Sequence, residues 1–210
     1  NLETSISTRM AVESKENGSV AIPAKILLET LKALPNQLVT FEADLEQRSL
    51  VITTETGMYK MAVDPPDDFP ALPTSNDAEI MVPVERLMSG INYTIFATTS
   101  DEMRPAMTGV NVVVDFNKIS FVASDGHKLV RYHALGTSTE QTGSFVIPKK
   151  AMSLLKGATP SEGNVYLKYN KSHAFFRFEE TEVICRLINQ AYPDFNAVIP
   201  VNNKNVLYVS

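Results

Sequence analysis

Three short stretches of the 210-residue chain repeat one another, and this repetition limits its fold more than any other feature. Ile22-Pro23-Ala24-Lys25, Val82-Pro83 and Ile147-Pro148-Lys149-Lys150 each place a β-branched residue and a proline at the head of a helix-like run. Proline suits the first helical turn, because its fixed φ fits a helix and its missing N–H would have no intrahelical partner there. The prolines are 60 and then 65 residues apart, so the chain reads as copies of one supersecondary unit. The first and third copies share more. Each has Lys two residues after the proline (Lys25, Lys150) and a second proline twelve residues on (Pro35, Pro160). Each then closes with Pro-Asp, five residues and Pro: Pro66-Asp67 to Pro73, and Pro193-Asp194 to Pro200. Domains built from two similar halves are natural for a scaffold and unusual for an enzyme.

The pattern between these markers predicts an α+β chain. Residues 2–12 and 18–22 alternate as strands do, and 23–34 form a helix with Ile26, Leu27, Leu31 and Leu34 on one stripe. Strands are predicted at Leu38–Ala43, Ser49–Thr54 and Met58–Val63, before an extended proline-rich linker over 64–77. Residues 79–200 then run twice through strand, helix and three strands. The first pass is Glu79–Val82, helix Pro83–Thr98, Thr108–Asp115, Lys118–Ser124 and His127–Ala134. The second is Gly143–Ile147, helix Pro148–Gly157, Asn164–Tyr169, His173–Phe178 and Glu182–Asn189. Tyr166 and Leu167 are expected to meet Phe175, Phe176 and Phe178 as cross-strand pairs. By the same pattern residues 1–73 form only the later part of a preceding copy, and 204–210 open the next. Both ends are therefore expected to continue into a longer protein.

Composition fits a soluble globular chain, at 44% hydrophobic and 20% charged residues, with no apolar run long enough for a membrane helix. The start lacks the basic and apolar stretches of a secretory signal. The single cysteine, Cys185, has apolar flanks and reads as a buried strand thiol in a reducing cytoplasm. A net charge of −5 argues against a nucleic-acid binder, yet phosphate meets a local face rather than a total. Acids gather in predicted loops and linkers, whereas Lys25, Lys32, Lys149, Lys150 and Lys156 sit on the proline-headed helices. From composition alone, a solvated helix face is the favoured reading of these lysines.

Ser124-Asp125-Gly126-His127-Lys128-Leu129, Arg104–Gly109 (RPAMTG) and Tyr192–Pro200 (YPDFNAVIP) resemble the bacterial DNA polymerase III β subunit, the sliding clamp. The similarity runs from Asn1-Leu2-Glu3 to Val206–Ser210, with the three signatures in order and at matching spacing. It implies the DNA-clamp fold: domains of two strand-helix-strand-strand-strand halves, with helices inside and antiparallel sheets outside. Three such domains make a protomer, and two protomers close head to tail into a ring. On this basis residues 1–76 are expected to hold the later part of a first domain, 77–200 a complete second and 201–210 the first strand of a third.

The resemblance further implies a cytoplasmic, non-catalytic processivity factor that encircles duplex DNA without reading sequence. No metal or cofactor is implied. Lys25, Lys32, Lys149, Lys150 and Lys156 are then expected to face the hole. Partners would be the polymerase III catalytic subunit, the clamp loader and repair polymerases, docking by short linear motifs. Their cleft would be walled here by Arg104, Met107, Ser124, Gly126, His127, Leu129, Pro193 and Val198. Without the resemblance, Met107, Leu129 and Val198 read as core and Gly126 as a turn. Ala197 departs from the family pattern, which often has a basic residue there. The other half of the cleft would come from a third domain, so weak peptide binding is expected without it. Met58, Tyr59 and Lys60, with Ile26 and Thr30, would form the dimer edge.

Two other classes weigh against this reading. Ser124, Asp125 and His127 crowd into four residues and cannot adopt triad geometry, and His133 and His173 lack metal-ligand spacing. A protein-interaction scaffold that does not encircle DNA is the alternative.

Overall fold

A computed structural model describes residues 3–137 and 139–203. The strand expected at Val206–Ser210 lies outside these residues. The described chain divides into two compact units, one of residues 11–72 and one joining the stretch up to Met10 with Pro73 onward.

The larger unit follows the twofold cycle. Its first half is β5 (Ile80–Pro83), α2 (Val84–Thr94), β6 (Gly109–Asp115), β7 (Lys118–Ser124) and β8 (Leu129–Leu135). Its second half is β9 (Gly143–Pro148), α3 (Lys149–Ala158), β10 (Asn164–Tyr169), β11 (His173–Phe178) and β12 (Thr181–Arg186). The halves exchange their first strands. β9 joins the first half's sheet, ordered β8-β7-β6-β9, and β5 joins the second half's. The exchange is symmetric: Pro148 lies opposite Gly109 at the start of β6, and Pro83 opposite Asn164 at the start of β10. β1 (Thr4–Thr8) completes the second sheet, ordered β1-β12-β11-β10-β5.

The prolines sit one residue earlier than expected. Pro23, Pro83 and Pro148 are N-caps with ψ of 106°, 135° and 142°, and the helix starts after each. The ring's fixed φ serves an extended residue as well as a helical one, so Pro83 and Pro148 end a strand and launch a helix at one position. Other boundaries shift too. The helix from Pro83 gives way at Ile95 to a 3-10 turn ending at Ala97, and β12 stops at Arg186 instead of reaching Asn189. Residues 18–22 hold only an isolated bridge between Ala21 and Asp64, and the first strand shrinks from 2–12 to Thr4–Thr8.

Both sheets and both helices of this unit share one core. Ile80, Val82, Leu87, Ile91, Phe121, Ile147, Met152, Leu155, Phe176 and Cys185 are all buried in it. Burial pushes the Cys185 thiol up to about 12, which leaves it protonated and unreactive at neutral pH. Leu167 faces Phe176 across β10–β11 as expected, but Tyr166 faces Arg177, whose guanidinium lies 4.4 Å over the ring.

The smaller unit contains α1 (Ala24–Ala33) and the sheet β2-β3-β4 (Thr40–Asp44, Ser49–Thr53, Met58–Ala62). Leu50, Ile52, Met61 and Val63 form its core, with Leu27 of α1 packed against them. The rest of the predicted apolar stripe stays open: Ile26 and Leu31 are exposed and Leu34 is half-buried. Within its unit α1 has no second helix to pack on, whereas α3 buries Ala151, Met152 and Leu155. No described helix is long and apolar enough to cross a membrane.

Candidate nucleic-acid face and peptide cleft

Lys149, Lys150 and Lys156 project from the exposed face of α3, opposite its buried residues, and Lys25 and Lys32 are exposed on α1. None of the five forms an ion pair among the described residues; Arg104, Lys118, Lys128, Lys168 and Arg177 do, while Lys60, Arg131, Lys171 and Arg186 on strands and loops do not. Position along the helix separates the five. Lys32 and Lys156 occupy last turns, where the helix dipole favours cations. Lys25, Lys149 and Lys150 occupy first turns that contain no acid, where each exposed cation costs about 0.3–1 kcal/mol. α2 carries both an acid and a cation in its first turn, Glu85 and Arg86.

The expected cleft residues gather at one end of the β6–β7–β8 sheet. β7 ends at Ser124, and a tight turn leads to Leu129, which pairs with Ser124. Asp125 builds that turn. Its Oδ1 accepts the backbone N–H groups of His127 and Lys128, both at 2.9 Å, and its Oδ2 pairs with the Lys128 ammonium. The ammonium and these two amides hold the Asp125 carboxyl well below the usual carboxylate range. Gly126 takes φ +92°, a conformation that favours glycine, and a Cβ there would lie 2.7 Å from Arg104 Nη1, so the tip of that side chain would have to shift.

Arg104 is itself pinned. Its Nε donates to Asp101 Oδ2 at 2.9 Å and its Nη1 to the Asp125 carbonyl at 3.0 Å. Met107 follows on a 3-10 turn (Pro105–Thr108) that feeds β6. The segment after β12 then crosses the sheet. Ile188 N–H donates to the Val146 carbonyl of β9, and Tyr192 reaches the Ser124 backbone. Burial pushes the Tyr192 hydroxyl above its ordinary range and the Ser124 backbone opposes the shift, although no hydrogen bond closes between them. Arg131 of β8 donates to Asn196 Oδ1 at 3.2 Å and ties down the 3-10 turn Asn196–Val198.

The segment that carries Pro193 and Val198 is thus tied to β8 at Arg131, two residues from Leu129. Val198 is 68% exposed, while Met107 and Leu129 are half-buried, so none of the three is a fully buried core residue. His127 is exposed at the rim. The surface is an open apolar wall edged by polar groups, suited to an extended peptide rather than to an enclosed small molecule. Beyond the Tyr192–Asn196 strap, a groove of about 870 Å³ includes Asn111, Ser144 and Pro193.

Ser124, Asp125 and His127 form no nucleophile–base–acid relay. Asp125 bonds the His127 backbone rather than its ring, and Ser124 Oγ accepts from the Gly126 amide. Among the described residues, no group of three His, Cys, Asp or Glu side chains could hold a metal. The expected dimer-edge residues lie on or near a free sheet edge. β4 has β3 on one side only, Met58, Tyr59 and Lys60 are exposed, and on α1 Ile26 is exposed and Thr30 half-buried.

Sequence reasoning missed the roles of Asp101, Asp125, Lys128, Tyr192, Arg131 and Asn196, which build the wall. An Asp two residues before His in Asp-Gly-His is a turn-forming signal that points to Asp125. Nothing local pairs Arg131 with a residue 65 positions away.

Known proteins place these features in context. Residues 81–194 match the family model for the DNA polymerase III beta subunit, central domain, and residues 1–73 match that for its N-terminal domain. A beta sliding clamp of Staphylococcus epidermidis is 32% identical over 194 residues, covering 91% of this chain and 51% of that protein. The crystal structure of the DNA polymerase sliding clamp from Bacillus subtilis superposes with a TM-score of 0.88 at 25% identity, covering 96% of this chain and 56% of that one. A sliding clamp from Bartonella birtlesii, bound to griselimycin, gives 0.88 at 23% identity, covering 97% and 56%. The chain spans about half the length of the curated relatives it matches.

Proposed function

The chain belongs to the bacterial sliding-clamp family, the DNA polymerase III β subunits, and on that premise we propose that it forms part of a ring that encircles duplex DNA. Residues 1–76 supply the later part of a first clamp domain, 77–200 a second and 201–210 the opening of a third. The ring tethers a polymerase in the cytoplasm and performs no catalysis of its own. Enclosure raises the effective concentration of the tethered enzyme at the primer end without any tight contact. Sliding needs weak, sequence-independent phosphate contacts, because base-specific ones would act as brakes.

The observation that carries this reading is the placement of Lys25, Lys149 and Lys150. They are exposed, outside any ion pair among the described residues, and at the helix ends that disfavour them, so no ion pair among those residues offsets their local cost. A phosphate backbone supplies that offset, with Lys32 extending the basic face of α1 and Lys156 that of α3. The wall of Arg104, Met107, Ser124, Gly126, His127, Leu129, Pro193 and Val198 is proposed to take linear motifs of the polymerase, the clamp loader and repair polymerases. Griselimycin bound to the Bartonella birtlesii clamp is a precedent for ligand capture within the family. The β4 edge, with Ile26 and Thr30, is proposed as the seam of a homodimer.

Equilibrium binding to short linear duplexes tests the electrostatic part. The full-length protein should bind unrelated sequences equally and weakly, with log K falling linearly in log salt at a slope of about 0.9 per phosphate engaged. A marked preference for one sequence, or binding indifferent to salt, would contradict it.

A further inference from the structure

We propose that Arg131 is a specificity-determining residue of the peptide cleft, supplying a free positive charge that selects motifs with an acidic residue beside the apolar anchor. This rests on the peptide-cleft reading above. The other cations of the wall are already committed. Arg104 is paired with Asp101 and bonded to the Asp125 carbonyl, Lys128 is paired with Asp125, and position 197, in the turn that closes the wall, is alanine. Arg131 has only a neutral partner, Asn196 Oδ1, and no carboxylate within ion-pair distance among the described residues.

Its position suits the role. Leu129 and Arg131 are two apart on β8 and share a face, while Val130 and Tyr132 between and beyond them pack toward the core. The bond to Asn196 draws the guanidinium to the Asn196–Val198 turn, which carries Ala197 and Val198. Its charge is felt locally as well. After burial, Arg131 is the next cause holding His133 below its ordinary range, with Lys118 adding to it. Asp194, the nearest acid in the strap sequence, is exposed, accepts the Asn196 backbone N–H at 3.0 Å and forms no ion pair with Arg131. A carboxylate on a docked peptide would therefore meet Arg131 without competing with an internal acid.

The test uses the full-length protein and short synthetic peptides with a Leu-Phe anchor, each in two forms that carry Asp or Asn at one flanking position. At the position that meets Arg131, the Asp form should bind about twofold to fivefold tighter, the range of a solvent-exposed ion pair. Arg131→Gln should bring that ratio to one, and any loss from loosening the Asn196–Val198 turn should fall on both peptides alike. Adding Ala197→Arg to the Gln variant should restore the preference from the neighbouring position. Arg131 is exposed, so the Gln variant keeps the stem and the fold. An Asp/Asn ratio unchanged by Arg131→Gln would overturn the proposal while leaving the cleft intact. Failure of every peptide to bind the unaltered protein would remove the cleft reading, and this proposal with it.

Discussion

Replacing Phe121 by alanine is expected to cost about 3–5 kcal/mol, and to lower the melting temperature by about 2–4 °C for each kcal/mol. Phe121 is 2% exposed on β7 and fills the space beneath α2. The helix comes so close there that a Cβ on Gly90 would fall 2.4–2.7 Å from three ring carbons. Gly90→Ala alone should therefore destabilise, because overpacking by about 1–3 kcal/mol outweighs the helix-propensity gain of about 1 kcal/mol. In the Phe121→Ala background the ring is gone and the same methyl enters the cavity, so Gly90→Ala should now stabilise. Denaturant unfolding of the four proteins checks this change of sign. Equal effects of Gly90→Ala in both backgrounds would show that the helix–ring contact does not set the packing of the larger unit.

Charge reversal at the head of α3 should separate stability from DNA association. Lys149→Glu and Lys150→Glu, made together, would put acids where the helix dipole favours them and remove cations from where it does not. The expected gain is about 0.3–1 kcal/mol per group, seen as a rise of a few degrees in melting temperature. Over the same change, binding to duplex DNA should weaken uniformly across sequences, with the salt slope reduced by about two. The opposite signs matter. A solvated helix face with no partner predicts the stability gain and no change in DNA association, and that result would return these lysines to ordinary surface residues.

The local parts of this fold were legible because single residues announce them. Pro83 and Pro148 each marked a strand-to-helix junction and Pro23 the head of a helix, and β7, β10 and β11 were read to the residue because turn residues bound both ends. The exchange of β5 and β9 between sheets was not legible. It depends on pairing between segments distant in sequence, Gly109 with Pro148 for β9 and Pro83 with Asn164 for β5, and no local pattern encodes it. The stripe on α1 was read correctly as a pattern but not as burial, since burial needs a second surface that its own unit lacks. Tyr166 was assigned an aromatic partner because the register of β10 and β11, set by the turn between them, decides which face it shares.

The candidate site was legible only in part. The turn Ser124–Leu129 and the Pro193–Val198 segment were found through family resemblance, and the geometry brings them together at one end of a sheet. The supporting work of Asp101, Asp125 and Asn196 was missed, because it is done by hydrogen bonds that composition cannot show. Arg131 reads in the sequence as one more exposed strand cation. Only its neutral partner, and the neutralised state of Arg104 and Lys128, set it apart.

Retention on circular and linear DNA tests topological enclosure most directly. The full-length protein is loaded with its clamp loader onto a nicked circular plasmid, half of the sample is cut once, and both halves are washed in high salt. Enclosure predicts that the protein stays on the circles and leaves the linear molecules by sliding off their ends. Equal loss from both forms would contradict it, and would favour a scaffold that does not encircle DNA.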